Sequence, residues 1–510
     1  MNRKIRQLAV VLIGLYVVLF LALNYWQVDR TEELASQPGN TRALIRQFER
    51  PRGPIVTADG VVVARSIVID DPESDVTYQR EYPTGDLFAQ IVGYSTFGLG
   101  STQLERTKSD VLTGETFSQQ VRALGDILSS ENDQSGEVRL TLRQDMQNVA
   151  KFLLGQRQGA IVLMEVETGA VISMWSWPSY DPNLVAQRDY DAAYEYVTEL
   201  QADERDPLLA NAYMQRYMPG STFKVLTTGA GLDSGTISLE STWPSVTEWV
   251  PPQTDDPIQN YAGTSCGGDL TEVFRRSCNI PFAQTAVDMG PDKFQEYISR
   301  WGVGETIPID LPRAAACTIG DFTDMDQNLP LLAMRGFGQN EDQMVPLHMA
   351  MVASTVANHG IMMKPFVVDA ELDHDGRVIS RTQPDVWKRP ISRETAGTLQ
   401  DLMVTVAESG TASCCIGLEG GIPVAAKTGT AQLNGPGEPE RSHAWIVAYA
   451  PADAPKYAVA VIIEGTDAEI SAGTGGRLAG PVAKGMLDEM FKIDPPGADP
   501  AVTTPPASTP

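Results

Sequence analysis

The sequence predicts a mixed α+β protein. Its main domain has a central antiparallel sheet flanked by helices, preceded by a small N-terminal domain and one transmembrane helix. Three observations carry this. Strand-like runs (Ala160–Val166, Val171–Trp177, Val424–Gln432, Ala444–Ala450 and Tyr457–Glu464) stand at both ends of residues 137–493, with helical spacing between them. Leu8–Leu23 is unbroken apolar sequence apart from Gly14. A chain of 510 residues has room for two or three domains at roughly 150 residues each.

The elements follow in chain order. Residues 1–7 carry Arg3, Lys4 and Arg6 and no acid. Residues 8–26 then approach the ~20 that a helix needs to cross the hydrocarbon core. Tyr25 and Trp26 suit the interface, and the preceding cations favour a cytoplasmic N-terminus. The alternative is a cleaved signal peptide. No small-x-small cleavage site follows, and the run is long for a signal core. An uncleaved single-pass anchor in the plasma membrane is expected, with everything after Arg30 outside the cytoplasm.

Residues 31–135 read as a modest first domain. Short β-like pieces, Gly53–Val56 and Val61–Arg65, are broken by the turn signals Asp59-Gly60 and Pro83-Thr84-Gly85. Ser129–Gly136 is a polar linker. Leu140–Leu153 has helical spacing, and Thr168-Gly169 joins the first two strands of the main domain as a hairpin. A loop-rich helical middle follows, and Pro481–Phe491 reads as the closing helix. Residues 494–510 form a Pro/Thr/Ala-rich tail, expected to be disordered.

Composition excludes several classes. Apolar residues make up 42% and charged residues 20%, which supports a packed core. Lys plus Arg is 39 against 65 Asp plus Glu, a net charge of −26. Phosphate backbones repel such a chain, so no nucleic-acid partner is expected. Five cysteines without a CxxC pair do not make a zinc site, and four histidines without HExxH do not make a zinc protease.

Chemistry gathers in three short motifs. In Ser221-Thr222-Phe223-Lys224, helical periodicity continues through Val225, Leu226 and Ala230. A helix opening at Ser221 puts Ser221 and Lys224 one turn apart on one face. A serine hydroxyl needs a base, and a desolvated lysine with a lowered pKa is one. In Ser277-Cys278-Asn279, a second serine and an amide can relay a proton and hold a carbonyl. Ser277 also suits a plain helix N-cap. In Lys427-Thr428-Gly429-Thr430, Gly429 leaves room for a ligand backbone, Lys427 supplies a cation, and the Thr428 and Thr430 hydroxyls suit a carboxylate. The backbone N–H groups of Ser221 and Thr430 suit an oxyanion hole. Each motif alone is weak. The three in this order point to serine acyl transfer.

With these residues the sequence resembles a class B penicillin-binding protein, most closely the actinobacterial cell-division branch. Arg52-Gly53-Pro54-Ile55 with Asp59-Gly60 resembles the segment after the family's anchor. Arg80, Tyr82-Pro83, Gly85, Gly93-Tyr94, Gly100 and Glu105 resemble its pedestal pattern. Gly338-Gln339, Pro346-Leu347-His348-Met349-Ala350 and His443-Ala444-Trp445 resemble later signatures. The resemblance implies a serine penicillin-recognising domain of the β-lactamase/transpeptidase kind. It implies Ser221 as the acylated nucleophile and Lys224 as its base. Ser277 and Asn279 would line the cleft, while Lys427, Thr428 and Thr430 bind the terminal carboxylate of a D-Ala-D-Ala stem peptide. It implies covalent β-lactam binding and no metal or organic cofactor. It also implies a SEDS-family glycan polymerase and divisome proteins as partners. The alternatives are a scaffold that activates such a polymerase, or a β-lactam sensor or β-lactamase. The pedestal span is too short for an added glycosyltransferase domain, and no deacylating glutamate follows Asn279.

The remaining signals stay open. Cys266 and Cys278 are close enough in sequence to pair, Cys317 has candidate partners, and Cys414-Cys415 precede the Lys427 strand. Unpaired buried cysteines are the alternative. His443 and the pair Trp175 and Trp177 read as packed residues.

Overall fold

The computed structural model describes residues 2–25, 48–70, 76–117, 119, 135–434 and 441–496. Trp26, the start of the pedestal, most of the Ser129–Gly136 linker and the tail beyond 496 lie outside the described residues.

The catalytic domain is built on a five-stranded, wholly antiparallel sheet. Its order is Ala425–Gln432, Ser442–Ala450, Tyr457–Ile463, Gly159–Glu165, Val171–Trp177. Strands from both ends of the domain therefore meet at its centre, where Ala460 lies opposite Val162. The central strand Tyr457–Ile463 is buried at every residue. Helix Pro346–Ala357 packs against it, and helix Gly480–Ile493 also contacts it. With both faces covered, its sequence is a continuous apolar run rather than an alternating one. Pro346–Ala357 is itself buried at all twelve positions, so it is apolar on most of its surface, and its polar members His348, Ser354 and Thr355 each have a partner.

A second sheet of six strands forms the pedestal. Its order is Val378–Arg381, Val368–Leu372, Glu137–Leu140, Ile55–Val56, Val62–Val68, Tyr78–Glu81. Ile55–Val56 and Glu137–Leu140 run parallel, and every other pairing is antiparallel. Three of the six strands thus come from beyond the polar linker. Glu137–Leu140 lies inside the stretch whose end the helical spacing covers. The helix itself runs over Gln144–Leu154, after Leu140 has been used as a strand residue. Pedestal polarity is concentrated at Glu105, which is fully buried. Its carboxylate accepts from Arg52 Nε at 2.5 Å and Arg80 Nε at 2.6 Å. Burial pushes its pKa up, but the two guanidiniums hold it below the usual carboxylate range.

The N-terminal helix spans Asn2–Asn24 and is exposed over its described side chains. At 1.5 Å per residue it is about 34 Å long, enough to cross a bilayer core.

Candidate active site

The nucleophile motif opens differently from its periodicity. Gly220–Phe223 is a 3₁₀ turn, and the α-helix proper is Lys224–Asp233. The break comes from Gly220, whose φ of +53° no α-helix accepts. Ser221 therefore precedes the helix, while Lys224 begins it. A Cβ on Gly220 would sit 2.8 Å from the Thr430 carbonyl oxygen, so the turn lies directly against the Lys427 strand.

Gly429 answers the same contact from the other side. A Cβ there would meet the Pro219 carbonyl oxygen at 2.7 Å and the Thr222 nitrogen at 3.1 Å. The space it leaves is thus filled by the chain's own nucleophile turn. A third glycine completes the stack. Gly338 has φ +80°, accepts from the Gly220 N–H at 2.9 Å, and has no room for a Cβ beside the Gly220 oxygen.

Ser277 is not a helix cap. It sits between helices Leu270–Arg275 and Ile280–Met289 with φ +59°, a left-handed conformation that costs a non-glycine residue energy. Cys278 next to it is bonded to Cys266. The Asn279 and Ile280 N–H groups both donate to Asn260 Oδ1, at 2.8 and 3.2 Å. These contacts hold the turn that presents Ser277.

The three motifs meet at two buried lysines. Lys224 and Lys427 have no solvent exposure. Lys224 Nζ donates to the Ser277 carbonyl and to Asn279 Oδ1, both at 2.8 Å, with Ser277 Oγ at 3.4 Å. Lys427 Nζ donates to Ser277 Oγ at 2.8 Å and to the Thr428 carbonyl at 3.1 Å. Ser277 therefore links the lysines. Burial, with the neighbouring Lys427 charge, pushes Lys224 well below the ordinary lysine range. Burial alone brings Lys427 down to about 7. A neutral amine has two N–H bonds and one lone pair. The two carbonyl-type acceptors on Lys224 use both N–H bonds, leaving its lone pair for a proton.

A cleft of about 680 Å³ opens over this cluster. Ser221, Ser277, Asn279, Thr428, Gly429 and Thr430 all line it. Lys224 and Lys427 lie beneath it rather than on its surface. Thr428 Oγ1 is 2.6 Å from Thr411 Oγ1, and Thr430 Oγ1 accepts from the Gly475 N–H at 3.3 Å. Asn260, Thr411 and Gly475 were not singled out by sequence reasoning. Asn260 and Thr411 lie in loops and Gly475 opens the short helix Gly475–Leu478, and the position of each depends on distant pairing.

Cysteine and histidine roles also resolve. Cys266 pairs with Cys278 and Cys414 with Cys415, while Cys317 is free and buried. Cys317 Sγ lies 3.1 Å from His348 Nδ1, and His348 Nε2 lies 2.8 Å from the Trp301 carbonyl. That carbonyl assigns the ring proton to Nε2. His443 Nδ1 accepts from the Gly465 N–H, and its ring stands edge-on to Tyr217, so it is a packed residue. Trp175 is buried and Trp177 partly so.

Both domains have counterparts among known proteins. The penicillin binding protein transpeptidase domain matches residues 159–488, and the penicillin binding protein A dimerisation domain matches residues 52–138. The chain is 35% identical over 497 residues to peptidoglycan D,D-transpeptidase PbpA of Mycolicibacterium smegmatis, covering 96% of this chain and 98% of that protein. It is 32% identical over 505 residues to the PbpA of Mycobacterium tuberculosis, covering 97% and 100%. The ceftriaxone acyl-enzyme of penicillin-binding protein A from M. tuberculosis superposes with a TM-score of 0.80 at 30% identity, over 87% of this chain and 99% of that one. Similar to these proteins over nearly its whole length, and matching both a transpeptidase domain and the dimerisation domain ahead of it, the chain belongs to the class B penicillin-binding proteins.

Proposed function

We propose that this protein is a membrane-anchored peptidoglycan D,D-transpeptidase in which Ser221 forms the acyl-enzyme. The observation that carries the reading is that Ser277, lining the same cleft as Ser221, bridges the two buried lysines Lys224 and Lys427. Lys224, its charged form disfavoured by burial and by Lys427, takes the Ser221 Oγ proton as the oxygen attacks the D-Ala-D-Ala carbonyl. The N–H groups of Ser221 and Thr430 stabilise the oxyanion. The proton returns to the leaving D-Ala amine by way of Ser277, which touches both lysines. Thr428 and Thr430 hold the terminal carboxylate with the Lys427 cation beneath them, Gly429 keeps their strand against the nucleophile turn, and Asn279 steadies the donor amide. An acceptor amine then attacks the ester, releasing Ser221 and forming the cross-link. A β-lactam acylates Ser221 by the same first step.

The anchor places the N-terminus in the cytoplasm and the catalytic domain outside it. Arg3, Lys4 and Arg6 ahead of the apolar helix support this. The reading extends to cell division beside a SEDS-family glycan polymerase, supported by the family resemblance.

The test uses the purified full chain in detergent with a fluorescent penicillin. Wild type is expected to take one label, located at Ser221 by mass spectrometry, and Ser221→Ala none. Folded wild type without an adduct overturns the mechanism. In depleted cells, tagged wild type should restore division and co-purify with the polymerase. Full rescue by Ser221→Ala would leave only the scaffold role.

A further inference from the structure

We infer that Arg276 is a specificity residue that selects donors carrying a second carboxylate upstream of the scissile bond. This rests on the acyl-transfer reading above and adds to it the chemistry of the donor's side chain. Among the described residues lining the cleft, Arg276 alone is charged. It is next to Ser277 in the chain and lines the same cleft as Ser221.

Its guanidinium is held by one hydrogen bond and one long ion pair, and the side chain is exposed. Arg276 Nη2 donates to the Ser265 carbonyl at 2.9 Å. Ser265 is followed by Cys266, whose disulfide to Cys278 ties the same two segments together. The anchor therefore fixes the head with few of the five guanidinium donors. The one carboxylate near it is shared. Glu272 gives Oε2 to Arg275, at 3.0 and 2.6 Å, while its Oε1 is 3.8 Å from Arg276 Nη1. Two guanidiniums thus face one carboxylate, and of the two arginines Arg276 is the one that lines the cleft. Asp269 is used at the start of the same helix, where its carboxylate accepts from the Glu272 N–H at 2.8 Å.

The chain as a whole carries −26, so its general field disfavours an anionic donor. A local, pre-positioned cation reverses that at one point, and a planar guanidinium suits a planar carboxylate through two parallel N–H bonds. Lys427 and the threonines already serve the terminal carboxylate. Arg276 is free for another, carried by a side chain of the donor peptide. A carboxamide at that place offers the same shape without the charge.

The test compares acylation of the full chain in detergent by benzylpenicillin and by carbenicillin, which adds a side-chain carboxylate to the same nucleus. In Arg276→Gln the second-order acylation rate with carbenicillin is expected to fall about tenfold, and that with benzylpenicillin by less than twofold. Arg276→Lys keeps the charge without the fork and should fall between. A pair of peptidyl thioester donors, carboxylate against carboxamide, should separate in the same sense. Equal changes for both members of each pair overturn the inference. Wild type that neither penicillin acylates overturns the acyl-transfer reading instead. Should Arg276→Gln melt early, the carbenicillin-to-benzylpenicillin ratio in Arg276→Lys decides, since misfolding lowers both rates alike.

Discussion

Two buried lysines share one cleft serine, and they cannot both carry full charge at low cost. Taking an ammonium out of water disfavours its charged form, and a second cation nearby disfavours it further. Lys224 feels both effects, burial first and Lys427 second. Removing the Lys427 charge should therefore raise the Lys224 pKa. In Lys427→Gln the residual acylation rate should fall at least about tenfold at pH 7, and its rise with pH should move to higher pH. An unmoved limb in the pH–rate profile would show that Lys224 is not the titrating base. Stability shifts in a defined window. Lys427 is near 7 when folded and near 10.4 when unfolded. Between these values the unfolded chain binds more protons, so stability rises with pH from about 7 to about 10. The variant should thus compare better with wild type at pH 7 than at pH 10 in urea unfolding. The residue types at this centre were legible in the sequence. The contacts were not, because Lys427 reaches Ser277 only through strand pairing far from either motif.

The glycines show what a motif's spacing leaves out. Helical periodicity runs through Ser221, yet the α-helix begins at Lys224, because Gly220 holds a left-handed turn and its oxygen must face Gly338. The 3.6-residue pattern reports only which side chains share a face. Where the backbone departs from the helix depends on a loop over a hundred residues later. Gly429 was read as room for a ligand, and its nearest neighbours are Pro219 and Thr222 of the same chain. Gly338→Ala should therefore push the nucleophile turn out of line. Both φ +80° and the missing space oppose the methyl group, and a loss of about 1–3 kcal/mol is expected. Penicillin acylation should slow more than tenfold. Gly397→Ala is the control. It lies within helix Arg393–Ser409 with no atom near its Cβ position, and should gain up to about 1 kcal/mol with normal acylation. Matching acylation rates in the two variants would separate the Gly338 contact from catalysis.

The two sheets are coupled through the chain path. Glu137–Leu140 pairs with pedestal strand Ile55–Val56 on one side and with Val368–Leu372 on the other. It then leads into helix Gln144–Leu154, which packs on the strand Val171–Trp177. A composition-based boundary at the polar linker marks where the chain is most hydrophilic, and strand pairing ignores it. The pedestal sheet therefore cannot come apart without unpairing strands that belong to the sequence of the catalytic domain. Glu105 tests this coupling. Its carboxylate holds Arg52 and Arg80 in the pedestal interior, away from the cleft residues. Glu105→Gln leaves two buried guanidiniums without their counter-ion, a loss of about 3–5 kcal/mol. Far-ultraviolet circular dichroism of the full chain should show one cooperative transition, with Tm lowered by several degrees in the variant. Penicillin acylation well below that Tm should stay within twofold of wild type. Two separate transitions, with only the earlier one moved, would mean that the pedestal melts on its own despite the shared strands.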